Sequence, residues 1–423
     1  MRSINFSKSK SVSNPWDAAA GLLTEYLENP RKADALLDTL AFGEGSAARA
    51  RAQSLFLGAL RQGHRSRGVL GKFLQKKPRP VVEAILLIGG YEIHSSPKEK
   101  HPKIVHHAVE RAKQSLSRPE TSLVNAVLRK LPEAFASIDP DDMAMHLSHP
   151  EWLAGHWMQQ FGAGATRALL EWNQQTPVNH VEIPGGHVPP GLATTDWPGF
   201  YRLPKGSIPP SIRPLLDKGA AYVKDPSTRI APGLLAPQPG DSVLDLCAAP
   251  GGKAFDMARM MEGRGRLVAV DLPCPRMDRL RENLSRLQSQ TLQIEILEND
   301  VLELDHGQLP APFDAVMLDV PCSNTGVIQR RTDVKWRLRP EDIANCARLQ
   351  SQLLHSAARF VKPGGRLVYS TCSIEPAENS QVVEDFLASR SGRAFSLESQ
   401  EQSYPWETGH DGAGACLLVR QSG

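Results

Sequence analysis

No apolar run in this chain of 423 residues reaches the roughly 18 needed to cross a membrane, so a transmembrane protein is not expected. The first ten residues, Met1 to Lys10, lack the apolar core of a secretory signal. Cysteine is sparse. The six present (Cys247, Cys274, Cys322, Cys346, Cys372 and Cys416) are scattered, with no Cys-x-x-Cys pair, which argues against a disulfide framework and against a zinc site. The neighbouring histidines His101, His106 and His107 have no cysteine or carboxylate beside them, so helix-surface or buried positions are expected rather than metal ligation. The apolar share, 41%, and the charged share, 22%, are those of ordinary globular proteins. A cytoplasmic protein of roughly three domains, with no membrane and no metal partner, is the expectation.

Acid is missing from one place in particular. Arg61, Arg65, Arg67, Lys72, Lys76, Lys77 and Arg79 follow one another with no Asp or Glu among them. Residues 1–140 carry 22 Lys+Arg against 13 Asp+Glu, a net of +9, which leaves −6 for the rest of a chain of net +3. A basic domain joined to a mildly acidic one suits a polyanionic partner, although a solvated helix face has the same composition.

That basic part reads as helical throughout. Asn14-Pro15 is a cap with proline at the first helical position, and Leu22, Leu23, Tyr26 and Leu27 share a face. Similar stripes recur at Leu55, Phe56 and Leu60, at Val82, Ile85 and Leu86, and at Val124, Val127, Leu128 and Leu131. From about 148 to 239 the texture changes to proline and glycine (Pro184-Gly185-Gly186, Pro189-Pro190-Gly191), with helical spacing mainly in Trp152–Trp172. The expected parts are a helical domain at 1–140, a small α/β module at 145–235 and a nucleotide-binding α/β domain at 236–423.

The last part is organised around Val243–Lys253. Val243-Leu244-Asp245-Leu246 has the character of a buried strand; Cys247-Ala248-Ala249-Pro250-Gly251-Gly252-Lys253 breaks it, and Ala254–Ala258 resumes at helical spacing. A strand turning through glycines into a helix opens a doubly wound nucleotide-binding fold. Leu267–Val270 then ends in Asp271, about 20 residues past the glycines, where such folds hold a ribose. Strands follow at Leu292–Leu297 and Phe313–Asp319; helices at Pro340–Val361 and Pro376–Ala388 flank a strand at Gly364–Ser370, and Ala415–Val419 supplies an antiparallel edge strand. In a parallel sheet covered on both faces, ligands lie beyond the carboxyl ends of the strands. Cys247, Asp271, Asp300, Asp319, Cys322 and Cys372 all fall there.

Two cysteines and a carboxylate on that rim suit one demanding reaction. Cytosine C5 is too weak a nucleophile to take a methyl group; a thiolate adding to C6 makes C5 enamine-like, and elimination later frees the enzyme. Such chemistry needs a nucleophile, a group for the pyrimidine edge and something to manage release. Cys372, Cys322 and Asp319 are candidates, and residue chemistry leaves open which cysteine attacks.

Asp245–Lys253, Asp319-Val320-Pro321-Cys322-Ser323 and Ser370-Thr371-Cys372-Ser373 resemble the signature motifs of the Nop2/Sun family of RNA 5-methylcytosine methyltransferases. Gly326–Arg331 and Asp333–Trp336 resemble the segment that follows the proline–cysteine motif, and Leu123–Arg129 resembles a NusB-type RNA-binding domain. The combination is similar to the RsmB/Sun-type bacterial enzymes. The resemblance implies an α/β, Rossmann-like methyltransferase fold behind an all-α NusB-like domain and a small linking module. It implies S-adenosylmethionine held by Cys247, Ala248, Ala249, Pro250, Gly251, Gly252 and Lys253, with Asp271 at the ribose, Asp300 on the adenine side and Asp319 beside the methyl donor. Cys372 would be the nucleophile and Cys322 would assist release; Asp319 and Lys253 would meet the base. The implied substrate is 16S rRNA, free of ribosomal proteins or early in assembly, met by a monomer. Another rRNA site, a tRNA, or a non-catalytic RNA-binding or antitermination role are the alternatives. The chain departs from the family pattern in Asn179–Ile183, where relatives carry an arginine-containing strand, at Lys224, where glutamine is common, and at Thr332, where proline is usual. These departures bear on substrate choice, not on the reaction.

Overall fold

The computed structural model describes residues 14–422 apart from 44, 185–188, 205, 207, 288–289 and 310–311. The amino-terminal segment read above and the Gly185-Gly186 pair lie outside the described residues. The chain divides into two compact units, Met1–Thr176 with Ile328–Leu338, and Pro177–Val327 with Arg339–Gly423.

The first unit is all helix. Asn14 caps Pro15–Glu28 by accepting the Trp16 N–H at 2.8 Å, and Ser117 with Glu120 forms a capping box on Arg118–Ala136. Between them, Ala47–Arg61 and Pro80–His94 bury Leu55, Phe56, Leu86 and Ile88 against Leu23, Tyr26, Val124 and Leu128. Each such side chain contributes roughly 1.5–3 kcal/mol when removed from water.

Helix Glu151–Gln174, expected in the linking module, packs in this unit. Its Gln174 amide donates to the Leu147 carbonyl at 2.6 Å, and Trp157 meets the His149 ring edge-on. Ile328–Leu338, expected with the methyltransferase part, also packs here because its side chains find their partners here. Trp336 Nε1 donates to the Leu60 carbonyl at 2.8 Å, and the buried Lys335 Nζ donates to the carbonyls of Arg61 at 2.6 Å and Ser148 at 2.5 Å.

The acid-free run is not one exposed basic face. Arg61 and Arg65 are buried, donating to the carbonyls of Gln329 at 2.9 Å and His146 at 3.0 Å, and burial lowers Arg65 to about 10. Arg67 pairs with Glu83 and lies 4.3 Å over the Trp336 ring, while Arg79 pairs with Glu120. Lys72, Lys76 and Lys77 are exposed and supply the run's surface charge. Sequence spacing does not reveal this, because an arginine's carbonyl partners come from segments about 80 and 270 residues away.

The second unit holds two sheets. In the smaller, β1 (His180–Glu182), β2 (Ala193–Thr194), β3 (Phe200–Arg202) and β4 (Tyr222–Val223) run antiparallel in the order β2-β3-β1-β4. Two departures from the family pattern meet here. Lys224 is buried between Glu182, at 2.8 Å, and Asp256, at 2.5 Å. An unpaired buried charge would be strongly destabilising, so Glu182 and Lys224 compensate each other.

The larger sheet contains β5 (Ser242–Leu246), β6 (Gly265–Asp271), β7 (Leu292–Glu298), β8 (Phe313–Asp319), β9 (Val361–Thr371), β10 (Phe395–Ser403) and β11 (Ala413–Arg420). Their order is β10-β11-β9-β8-β5-β6-β7; the five from β9 to β7 are parallel and the last two antiparallel. Alternate residues serve opposite layers. Leu244, Leu246, Leu318 and Tyr369 face helices Pro340–Ala358 and Ser380–Ala388; Val243, Ala269, Ala315 and Met317 face Gly252–Met260 and Met277–Ser285. Two expectations are corrected. The helix predicted to reach Val361 stops at Ala358, and Val361 already belongs to β9. The strand predicted at the edge, β11, is covered by β10, whose polar sequence, Phe395-Ser-Leu-Glu-Ser-Gln-Glu-Gln-Ser403, suits a solvated edge and hides its strand character.

Candidate active site

β5, β8 and β9 end side by side, and their registers decide what meets beyond them. Leu246 lies opposite both Val270 and Leu318, and Asp319 opposite Ser370. Cys322 is three residues past Asp319 and Cys372 two past Ser370, so both loops leave the same edge of the sheet. Their thiols, free of any disulfide, stand 3.1 Å apart. The Cys372 thiol also reaches Asn324 Oδ1 at 3.5 Å.

The two sulfurs are not equivalent. Contact with Cys372 and burial, with the Glu378 charge adding to both, push the Cys322 thiol well above its usual range. The Cys322 thiol is thus favoured in its protonated form, and either sulfur can donate across the 3.1 Å contact. Gly326 seals the floor: its N–H donates to the Cys372 carbonyl at 3.1 Å, its carbonyl accepts from Gly412, and a Cβ there would lie 2.7 Å from the Cys372 oxygen.

Beside the thiols, Lys253 Nζ donates to Asp319 Oδ2 at 2.7 Å, and Ser370 Oγ donates to Asp319 Oδ1 at 2.8 Å. Burial alone would lower the Lys253 ammonium, but the Asp319 charge and hydrogen bond outweigh it and raise its pKa. Lys253 stays charged, within the influence of Cys372.

The glycine turn follows β5. Cys247 adopts φ +61 and Gly251 φ +99, and the Ala249–Pro250 peptide is cis. The φ of Gly251 favours glycine, and a Cβ there would also press on the Leu280 side chain of helix Met277–Ser285, 2.7 Å away. Burial and the Asp271 charge push the Cys247 thiol far up, which removes it from nucleophilic chemistry. Asp271 is committed within the turn's own architecture: Oδ2 accepts from Ala249 N–H and Oδ1 from Leu272 N–H, each at 2.8 Å. Asp300 is half-buried at the end of the strand–loop after β7, accepting from Leu302 N–H at 2.9 Å.

Thus Cys322, Cys372, Asp319 and Lys253 converge, with Cys247–Gly252 and Asp271 beside them and Asp300 one strand further along. Sequence reading gave no role to Asp245, Asn324, Ser370 or Glu378. Asp245 is fully buried on β5, and neither carboxylate oxygen has a hydrogen-bond partner among the described residues. Burial and the nearby Asp319 charge push its pKa well up. An orphaned carboxyl beneath a glycine turn fits a cationic group of a ligand held there, such as the α-ammonium of S-adenosylmethionine. Its acidity in the middle of an apolar strand was the available signal.

A family model for the 16S rRNA methyltransferase RsmB/F matches residues 232–411, and one for the NusB family matches 15–133. The protein named ribosomal RNA small subunit methyltransferase B from Sodalis glossinidius is 33% identical over 393 residues, covering 88% of each chain. This chain belongs to the RsmB/F family of 16S rRNA methyltransferases. The namesake from Erwinia tasmaniensis is 29% identical, covering 97% of this chain and 100% of its own. Among solved structures, a methyltransferase homolog protein from Pyrococcus horikoshii shares 25% identity with a TM-score of 0.56, covering 67% of this chain and 100% of that one. The RsmB/F match begins just before β5 and ends at Asp411, and so encloses both thiols, Lys253 and Asp319. The NusB match lies within the all-helical unit.

Proposed function

We propose that this chain methylates C5 of a cytosine in 16S rRNA through a covalent bond between Cys372 and C6 of the base. The reading rests above all on the two thiols 3.1 Å apart beside a Lys253–Asp319 pair at the carboxyl edge of the sheet. S-adenosylmethionine, bound over the Cys247–Gly252 turn, supplies an electrophilic methyl group. Asp245 would take its ammonium and Asp271 its ribose, with Asp300 toward the adenine. Cys372 adds to C6 of a base turned out of its stack. Asp319, with Lys253 and Ser370 fixing both oxygens, would accept from the amino edge of the cytosine, and the Lys253 ammonium would steady the negative charge that the addition places on the ring. For release, the C5 proton would pass to solvent water as the Cys372–C6 bond breaks; Cys322, held protonated against Cys372, is placed to give its proton to the departing sulfur and to be reprotonated from solvent.

Bisulfite sequencing of ribosomal and transfer RNA from a deletion strain tests the reading. The expected result is loss of one cytosine signal in 16S rRNA, restored by the intact chain and not by Cys372→Ala. A lost signal in tRNA would move the substrate, and no lost signal would leave a binding role.

RNA affinity gives a second test. Lys72, Lys76 and Lys77, the exposed lysines of the basic run, are placed to meet phosphates. Changing all three to glutamine is expected to lower the salt slope of RNA binding by about 2, at roughly 0.7–0.9 per lost contact. Arg61→Gln would instead destabilise the helical unit without that change in slope. An unaltered slope in the triple variant would remove these lysines from the interface.

A further inference from the structure

The residue after each cysteine is a serine, and both serines turn inward to one carboxylate. Glu378, at 0% exposure, accepts from the Ser323 N–H at 2.9 Å, from Ser323 Oγ, and from Ser373 Oγ at 2.8 Å. Its fourth donor is Gln350 Nε2 at 2.9 Å, and the same amide nitrogen reaches the Pro321 carbonyl at 2.9 Å. The Glu378 carbonyl accepts from the Tyr369 hydroxyl at 2.5 Å, which fixes the backbone behind the carboxylate. Thr325 Oγ1 closes the set 3.0 Å from Ser373 Oγ.

We propose that Glu378 is a positioning residue: one buried carboxylate clamps the Cys322 and Cys372 loops together and so sets the spacing of the two thiols. The functional consequence rests on the cysteine reading above; the clamp itself does not.

Several features separate this from an ordinary buried carboxylate. Each loop contributes the residue immediately after its cysteine, so a shift of either serine moves a sulfur. All four side-chain contacts come from neutral donors, and no ion pair to Glu378 is formed among the described residues, so its task is not to neutralise a cation. The carboxylate can accept at both oxygens, whereas glutamine presents one oxygen and an amide that only donates. Glu378→Gln thus keeps the shape and leaves some of the four donors without an acceptor. The negative charge also works on Cys322, adding to the burial and thiol contact that hold its proton.

The spacing can be read directly, without methyl transfer. Diamide oxidises two neighbouring thiols to a disulfide and takes up both hydrogens, becoming the hydrazine. In the full chain the Cys322–Cys372 disulfide, identified by peptide mapping, should form fast. Glu378→Gln should slow it by about tenfold or more, since a displacement near 1 Å can cost a hundredfold in a proximity-driven step. Glu378→Asp, too short to reach both loops, should slow it comparably. In single-turnover methylation, Glu378→Gln should raise the ratio of trapped RNA adduct to released product, as loss of Cys322 assistance would. A general loss of structure would lower both together. If Glu378→Gln does not fold, Ser323→Ala and Ser373→Ala each remove one arm of the clamp and should slow the disulfide separately. A parental disulfide rate in folded Glu378→Gln, or in both serine variants, overturns the clamp. Failure of the chain to methylate any RNA would instead overturn the proposed function and leave the disulfide rate decisive for Glu378.

Discussion

Cys372→Ala is expected to lose methylation by about 10⁴-fold or more, the scale on which enzymes fail when their nucleophile is removed. It should also give no covalent RNA species, because the thiols left near Asp319 are disfavoured as thiolates: Cys247 is raised by burial and by Asp271, and Cys322, with its contact to Cys372 gone, is still raised by burial and by Glu378. Cys322→Ala should fail differently. Cys372 and the Lys253–Asp319 pair remain, so addition and methyl transfer proceed, while the departing Cys372 sulfur has lost its nearest proton source at 3.1 Å. A denaturing gel with labelled RNA should show a shifted band for Cys322→Ala that depends on S-adenosylmethionine and is missing in the double variant. The opposite pattern, a band with Cys372→Ala and none with Cys322→Ala, would reverse the two roles.

The distinction between the sulfurs shows how far the primary structure is readable. Asp319, Cys322 and Cys372 could be placed on the ligand side from strand endings alone, because strands ending in Asp319 and Ser370 read as such. The parallel register that sets Asp319 against Ser370 explains why the two cysteine loops then meet. Which thiol holds its proton was not readable. It depends on the contact with Cys372, on burial and on Glu378, a carboxylate in a stretch, Pro376–Glu378, that reads as the start of a helix and is a 3₁₀ turn in which Glu378 alone is buried. The basic run misled for a related reason. Arginine charge suggests solvent, but Arg61 and Arg65 bury their guanidinium groups on carbonyls of distant segments. Hydrophobic periodicity located the helices and the central strands well, since those bury apolar stripes. It missed β10, whose stability comes from its ladder with β11 rather than from its side chains.

Asp245→Asn should weaken binding of S-adenosylmethionine and, in the same protein, stabilise the unliganded chain at neutral pH. Both effects follow from one carboxyl. Asp245 is fully buried on β5, its oxygens have no hydrogen-bond partner among the described residues, and burial together with Asp319 raises its pKa well above the usual carboxyl range. A raised folded pKa means that its contribution to stability is fully present below the unfolded value, about 3.9, and is lost as pH rises through the folded value. Asparagine cannot ionise, so the variant should gain most relative to the parent at alkaline pH and least near pH 4. The ligand tells the other half. If Asp245 takes the cofactor's ammonium, losing that charged contact costs about 1.5–3 kcal/mol, or roughly 10- to 150-fold in affinity. At a concentration 100-fold above the parent's Kd, the cofactor stabilises the parent by about 2.7 kcal/mol. A hundredfold weaker variant would keep only about 0.4 kcal/mol at that concentration. Asp271→Ala provides the contrast, because its oxygens already satisfy the Ala249 and Leu272 N–H groups. That variant should lose cofactor stabilisation and unliganded stability together, the latter by about 1–3 kcal/mol for the donors left unpaired. Thermal melts with and without S-adenosylmethionine at pH 5, 7 and 8.5 separate the two. A full cofactor shift in Asp245→Asn would take the ammonium away from β5, and a destabilised unliganded Asp245→Asn at pH 8.5 would mean that the orphaned carboxyl is satisfied in solution.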